Sequence, residues 1–247
     1  MSAAARALLL AALSGLTASQ ETAPTDVAVY DLRTETLHDP LGIDVRRPRL
    51  GWKLMASGRD VLQTAYQVQV SEGGSEDFAG NLWWDSGRVE SRESVYVAYA
   101  GPALSSRGRY RWRTRVWTSD GNESGWSETA VWEMGLLEDS DWQARWIRGA
   151  WPESTEASNP PHLLRREFEI DGPIASARIY ATAHGIYEIY LNGQRIGDRI
   201  FSPGFTSYDQ RLQYQTYDVT DLVRSGPNVI GGVVADGWYR GRLGFEG

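Results

Sequence analysis

The sequence predicts an all-β chain made of two consecutive sandwich domains. Three observations carry that expectation. Period-two alternation of apolar and polar residues recurs along the chain, while helical periodicity is hard to find after residue 25. Clusters of Gly, Ser, Asp and Asn punctuate these runs, at Ser71 to Gly74, Asp85-Ser86-Gly87 and Ser119 to Asn122. Large rings are abundant, with 11 Trp and 12 Tyr in 247 residues, which suits thick sandwich cores and surfaces that stack on flat or apolar ligand faces.

Composition narrows the function. At 41% hydrophobic and 23% charged residues the chain is too apolar for disorder. A net charge of −7 and a pI of about 5.1 argue against nucleic acid as a partner, because phosphates need a basic face. Cysteine is absent, which excludes disulfide scaffolds, zinc–thiolate sites, iron–sulfur clusters and thiol nucleophiles. Only three histidines exist, His38, His162 and His184, and their spacing suggests neither a dyad nor a metal site.

Residues 1–20 have the shape of a secretory signal. Arg6 precedes the apolar run Ala7 to Leu13, and Thr17 and Ser19 supply small residues for a cleavage site. The expected localisation is therefore extracellular. The run is shorter than the ~20 apolar residues of a membrane span, and no other stretch is long enough, so no membrane partner is expected. Asn122-Glu123-Ser124 is a glycosylation sequon in an expected loop.

The first domain is expected over 25–137. Tyr66-Gln67-Val68-Gln69-Val70 alternates cleanly, and Arg109 to Trp117 puts arginines on one face and Tyr110, Trp112 and Val116 on the other. Trp52 sits where an early strand buries a Trp. Leu104 precedes Tyr110 at the spacing of a tyrosine corner. Trp126, just before the last strand, is placed to stack on arginines, with Arg111, Arg113 and Arg115 as the candidates, each contact contributing about 0.5–1 kcal/mol. With these features the domain resembles a fibronectin type III module. The arginine row reads as the solvated face of a strand; the chain's acidity counts against a ligand or nucleic-acid patch.

A polar boundary follows, through Glu138 to Asp141 and the Pro/Ser-rich stretch Pro152 to Pro161, and the second domain is expected over 142–247. Its strands include Ile179 to Ala183 and Tyr187 to Leu191. The latter leads into Asn192-Gly193, the strongest short hairpin signal. Tyr217 to Val223 and Gly226 to Gly231 form a later turn-and-strand unit. This order resembles the jelly-roll, galactose-binding-like domains that precede many glycoside hydrolase barrels. A jelly roll needs about eight strands, and only five or six can be placed after residue 163, so the domain is expected to be incomplete at its C-terminus.

Catalytic chemistry finds little support. Inverting glycoside hydrolysis needs an acid and a base about 6.5–9.5 Å apart. Asp218 and Asp221 read as turn caps, Asp198 as a turn residue or a ligand contact, and Asp236 as a loop residue. No pair can be placed in one cleft, so no catalytic residue is assigned. The chain has no G-x-S-x-G elbow, and Gly231-Gly232 is not followed by a phosphate-loop lysine. His184 reads as a polar strand-end residue. Sugar binding fits better, through ring faces with Asn, Asp and Arg for the hydroxyls. The candidates are Tyr187, Asn192, Asp198, Tyr208, Trp238, Tyr239, Arg240 and Arg242. The cluster from Trp238 to Arg242 reads equally as the anchor of an interdomain contact.

One family resembles both domains in this order, the N-terminal part of the α-L-rhamnosidases of glycoside hydrolase family 78. The resemblance rests on Leu32 to Glu35, Pro48 to Trp52, Gln63 to Val68, Tyr110 to Arg113, Ala181 to Glu188, Leu191 to Gly193, Gly204 to Tyr208 and Asp236 to Arg242. It implies an accessory role beside an (α/α)6 catalytic barrel, of which this sequence shows nothing, and an L-rhamnose-containing carbohydrate as substrate. The chain is then expected to be inactive alone. Some members carry a calcium-using rhamnose-binding module here; its ligands match nothing residue by residue, so no cofactor is assigned and calcium stays open. The alternatives are a stand-alone carbohydrate-binding module and a non-enzymatic adhesion module.

Overall fold

The structure, a computed structural model, describes residues 27–73, 78–150, 152–154, 157 and 159–240. The signal-like segment 1–20 and Arg242 lie outside the described residues. Strands dominate, as the alternation requires, and no helix is long and apolar enough to cross a membrane.

The first sandwich contains β1 (Val27–Thr34), β2 (Leu41–Ile43), β3 (Arg49–Ala56), β4 (Gln63–Glu72), β5 (Leu82–Asp85), β6 (Val89–Glu90), β7 (Val97–Ala98), β8 (Arg109–Thr118) and β9 (Ala130–Met134). One sheet runs β1-β3-β7 and the other β2-β9-β8-β4-β5, with β6 beside β4. Among the described residues only β2 and β9 pair in parallel. Both sheets contribute to a core of large rings. Tyr110 and Trp132 stack at 5.4 Å, Tyr99 meets Trp132 edge-on at 6.1 Å, and Trp112 lies 6.5 Å from Trp52. Trp112, Trp132 and Tyr110 are fully buried.

β8 shows how alternation becomes packing. Tyr110, Trp112, Thr114, Val116 and Thr118 point inward and the intervening residues outward. The tyrosine corner forms, with the Ser105 N–H donating to the Tyr110 hydroxyl at 3.0 Å. On the outer face the Arg113 guanidinium lies between Phe78 and Trp126, at 4.2 and 4.5 Å, and Arg115 lies between Trp126 and Trp117, at 4.8 and 5.1 Å. The Ser127 N–H bonds the Thr114 carbonyl, which sets Trp126 between Arg113 and Arg115. Gln69 and Gln67 accept from Arg113 and Arg115 and donate onward to Asp85. The row is thereby engaged within the protein, as a strand face rather than a ligand patch.

The second sandwich contains β10 (His162–Ile170), β11 (Arg178–Ala181), β12 (Ile186–Leu191), β13 (Gln194–Arg195), β14 (Gln215–Asp218) and β15 (Gly226–Ala235). A four-stranded sheet, β10-β15-β12-β13, faces the two-stranded β11-β14. Asn192 and Gly193 both take positive φ, 51° and 87°, in the β12–β13 hairpin. Asp218 caps its turn as expected, accepting from the Thr220 N–H at 3.0 Å and its hydroxyl at 2.6 Å. The buried core is small: Ala183, Tyr187, Leu191, Ile196, Tyr217 and Val219.

The two sandwiches share a packed seam. Glu133 on β9 accepts a forked pair of bonds from Arg178 on β11, both at 2.8 Å, with the side chains only 10% and 15% exposed. Hydrogen bonding to Glu133 raises the Arg178 guanidinium above its ordinary range. A second arm of Arg178 reaches Asp218 at 2.7 Å. The Leu136 N–H donates to the Tyr214 hydroxyl at 2.8 Å, and Trp142 meets the Tyr214 ring edge-on at 5.2 Å. Gly42 and Gly135 stand where a Cβ would collide with Thr216 and Tyr214.

Two outcomes follow for equilibrium unfolding in urea. Trp132→Ala opens a cavity at the centre of the first core and is expected to cost about 3–5 kcal/mol. Glu133→Ala strands the Arg178 charge in the seam and is expected to cost about 3–5 kcal/mol, most of it recovered when Arg178→Met is added.

Candidate functional site

Rings from four segments converge at one end of the second sandwich. Trp238 and Tyr239 follow β15, Phe201, Phe205 and Tyr208 lie between β13 and β14, His184 lies between β11 and β12, and Trp146 precedes β10. The His184 imidazole is clasped between Trp146 and Tyr239, each 4.4 Å away and within 17° of parallel. From Tyr239 the contacts turn edge-to-face, to Tyr208 at 5.4 Å, from Tyr208 to Phe205 at 6.4 Å, from Phe205 to Trp238 at 6.3 Å and from Trp238 to Phe201 at 5.7 Å. Partial burial raises the Tyr208 phenol above its ordinary value. Phe201 and Phe205 remain 58% and 64% exposed, and Ile200 beside them 73%.

Beside the stack lies a charged network that fastens the segment before β10. His162 is buried. Its Nδ1 accepts the Gly149 N–H at 3.2 Å, so the ring proton sits on Nε2, 3.0 Å from Glu153. The other Glu153 oxygen meets Arg240 at 2.6 Å. Asp236 accepts the Asn159 N–H at 3.0 Å. A groove of about 810 Å³ opens next to these groups on the inner face of the four-stranded sheet, with Leu164, Ile189, Ile230 and Val234 among the residues lining it.

The structure brings together four of the sequence-predicted residues: Tyr208, Trp238 and Tyr239 in the ring belt and Arg240 in the network. It corrects two others. Tyr187 is 5% exposed, with its hydroxyl 2.6 Å from Gln215 and 3.1 Å from the Ala181 carbonyl, and burial drives its phenol far up. Asn192 is consumed by the fold: its amide donates to the Leu222 carbonyl and to Asn228, and its oxygen accepts the Val229 N–H. Both hold the sandwich together and have no polar group left for a sugar. Asp198 stands exposed in the bend after β13, outside the belt's contacts. Arg242 lies outside the described residues. His184 is a ring-stacking residue rather than a simple strand end.

Sequence reasoning missed Trp146, His184, Phe201 and Phe205. A usable signal was present for two of them, since Phe201 and Phe205 sit in a Gly/Pro-containing stretch with no strand period to bury them. The acidic side chains at the groove are engaged. Glu153 serves His162 and Arg240, Asp236 serves Asn159, and Glu188 serves the Tyr190 hydroxyl at 2.7 Å and Arg195 at 3.4 Å. Among the described residues no group of three His, Asp or Glu is placed to hold a metal ion.

Comparison with known proteins places both domains. Residues 29–138 match the model of a Rha78A-like, N-terminal immunoglobulin domain, and residues 172–247 match that of the alpha-L-rhamnosidase N-terminal domain. An alpha-L-rhamnosidase of Formosa agariphila is 38% identical over 86% of this chain and 24% of its own length, and one of Alteromonas sp. is 37% identical over 83% and 23%. The chain thus spans about a quarter of the length of the curated relatives it matches. Among solved structures, the alpha-L-rhamnosidase of Aspergillus terreus superposes with a TM-score of 0.80 at 37% identity over 90% of this chain and 25% of its own. That of Dictyoglumus thermophilum gives 0.79 at 35% over 86% and 25%.

The His184 clasp yields a direct check. His184→Ala removes the spacer between Trp146 and Tyr239 at an expected cost of about 0.5–1.5 kcal/mol. Acrylamide quenching of the Trp146 contribution, isolated by difference against Trp146→Phe, is expected to rise while far-ultraviolet dichroism stays unchanged.

Proposed function

We propose, from the premise that this chain belongs with the N-terminal β-domains of the α-L-rhamnosidases, that it is an accessory region of such an enzyme and does not itself hydrolyse glycosides. The observation that carries this reading is the pair of domain matches in family order, 29–138 and then 172–247. The engaged state of Glu153, Asp236 and Glu188 supports it, because a general acid or base needs a carboxyl free to exchange a proton with substrate or water. The partners on this reading are an (α/α)6 catalytic barrel of the same polypeptide and a carbohydrate bearing terminal α-L-rhamnose. Secretion belongs to the same proposal, on the strength of Arg6 and the apolar run from Ala7.

We assign the ring belt to packing against that barrel. Successive rings from Tyr208 to Phe201 meet at 66° to 87°, so they offer edges and corners rather than one flat platform. A sugar ring prefers a flat aromatic face; a protein partner can fill an angular, half-exposed cluster with side chains. The second reading, a stand-alone carbohydrate-binding module, is favoured by the residue types alone, with Trp238, Tyr239 and Tyr208 beside Arg240.

Incubating the purified chain with a chromogenic α-L-rhamnoside is expected to release nothing above a blank. Release that disappears in Asp236→Asn would overturn the accessory reading. In calorimetry, heat with L-rhamnose that is lost in Trp238→Ala would favour the module instead.

A further inference from the structure

Asn122-Glu123-Ser124 is the one Asn-X-Ser/Thr motif in the sequence. The fold places it beyond the end of β8, where the chain turns and runs back along the same strand. Gly121 takes a φ of 86° in that turn, and its N–H bonds the Thr118 carbonyl at 3.0 Å. On the return arm the Asn122 carbonyl accepts the Thr118 N–H at 3.0 Å, and the Ser124 N–H donates to the Val116 carbonyl at 2.9 Å. We propose that Asn122 is the attachment point of an N-linked glycan, and that the sugar is attached before this edge of the first sandwich closes.

The position of Asn122 carries the first half. The residue is exposed, and its side-chain nitrogen donates to the Asp120 carboxylate at 2.9 Å. A sugar replaces only one of the two amide hydrogens, so that exposed contact can persist. β8 carries the site away from the second sandwich. Arg109, paired with the seam residue Glu133, stands at the other end of the strand, about 30 Å away at the usual rise of a strand. A glycan at Asn122 therefore lies clear of the seam.

Ser124 carries the second half. It is 4% exposed, and its hydroxyl accepts the Val116 N–H at 3.0 Å and donates to the Gly125 carbonyl at 2.8 Å. Glu123 between the two is held as well, by Arg115 at 2.6 Å and by the Trp117 indole at 2.9 Å. The motif needs a hydroxyl two residues after the asparagine because the transferase reads both groups together. Here the folded chain has consumed that hydroxyl and the backbone on either side of it. The motif cannot be drawn out extended without breaking the edge of the sheet, so transfer belongs to the chain before it folds.

The reaction is a glycosyl transfer from a lipid-pyrophosphate-linked oligosaccharide. The Asn122 amide nitrogen forms a bond to the sugar C1 and gives up one proton. The bond from C1 to the pyrophosphate oxygen breaks, and the pyrophosphate leaves with its lipid. The proposal rests on the secretion part of the reading above, because such donors belong to the secretory route.

The full chain, produced in a secreting yeast, is expected to leave the cell with a single glycan. Peptide:N-glycosidase is expected to remove it, as read by intact mass, and Asn122→Gln, an exposed change that spares the fold, to lack it. Secreted chain without sugar overturns the proposal. Chain retained inside the cell counts against secretion alone, and the same measurement behind a replacement leader then decides the site. For the timing, full chain made in a bacterium without the transferase is offered, folded, to purified oligosaccharyltransferase and its lipid-linked donor. The peptide 116–145, released from the same chain by trypsin, is expected to be modified at least tenfold faster. Equal rates overturn the order of events.

Discussion

The forked pair between Glu133 and Arg178 is the contact on which the placement of everything after residue 142 depends. A two-stranded sheet such as β11-β14 is marginal by itself in water, and the buried core beneath it is limited to Ala183, Tyr187, Leu191, Ile196, Tyr217 and Val219. Arg178 ties β11 to β9 of the first sandwich through Glu133 and to β14 through Asp218. Tyr214, Gly42 and Gly135 then let the two layers approach closely. The first sandwich, with its rings fully buried, thereby serves as the missing neighbour of the second. The domains form one packed body rather than two beads on a linker.

Aromatic residues do different work on the two sides of this seam. In the first sandwich they are inside, where Tyr99, Tyr110, Trp112 and Trp132 fill the space between the sheets. Of those left outside, Trp117 and Trp126 are covered by arginines that also donate to Gln67 and Gln69. In the second sandwich Tyr187 and Tyr217 are buried on strands, while the rings of the belt sit on loops at one end and pack on each other. The parallel clasp of Trp146, His184 and Tyr239 is closed on itself, while Phe201, Phe205 and Ile200 still face solvent. A buried core and a half-exposed ring cluster have been made from the same residue types by placing them on strands in one case and on loops in the other.

The candidate site was partly legible in advance, and the failures have a common cause. Trp238, Tyr239 and Arg240 were named for their residue types, and the structure gathers them in the ring belt and the network beside it. Tyr187 and Asn192 were misread as ligand contacts because a Tyr at a strand position and an Asn in a hairpin look the same in sequence whether their polar atoms face solvent or a neighbour thirty residues away. Gln215 satisfies the first and Leu222, Asn228 and Val229 the second, and none of those pairings leaves a local signature. Trp146 and His184 escaped notice for the converse reason: their partner is each other, across the whole of β10 and β11.

Local chemistry determined a great deal. Period-two alternation put Tyr110, Trp112 and Val116 inside and the arginines outside, because successive side chains of a strand must point to opposite faces. The spacing from Leu104 to Tyr110 marked the tyrosine corner, and Asn192-Gly193 marked a hairpin, because few residues tolerate that backbone. These rules act within a few residues of chain, so they can be read along it. The tertiary structure alone decided the seam, the ring belt and the groove. Each is made by groups far apart in sequence, Glu133 with Arg178, Trp146 with Tyr239, Leu164 with Gly232, and which distant surfaces meet depends on how the sheets stack rather than on any local preference.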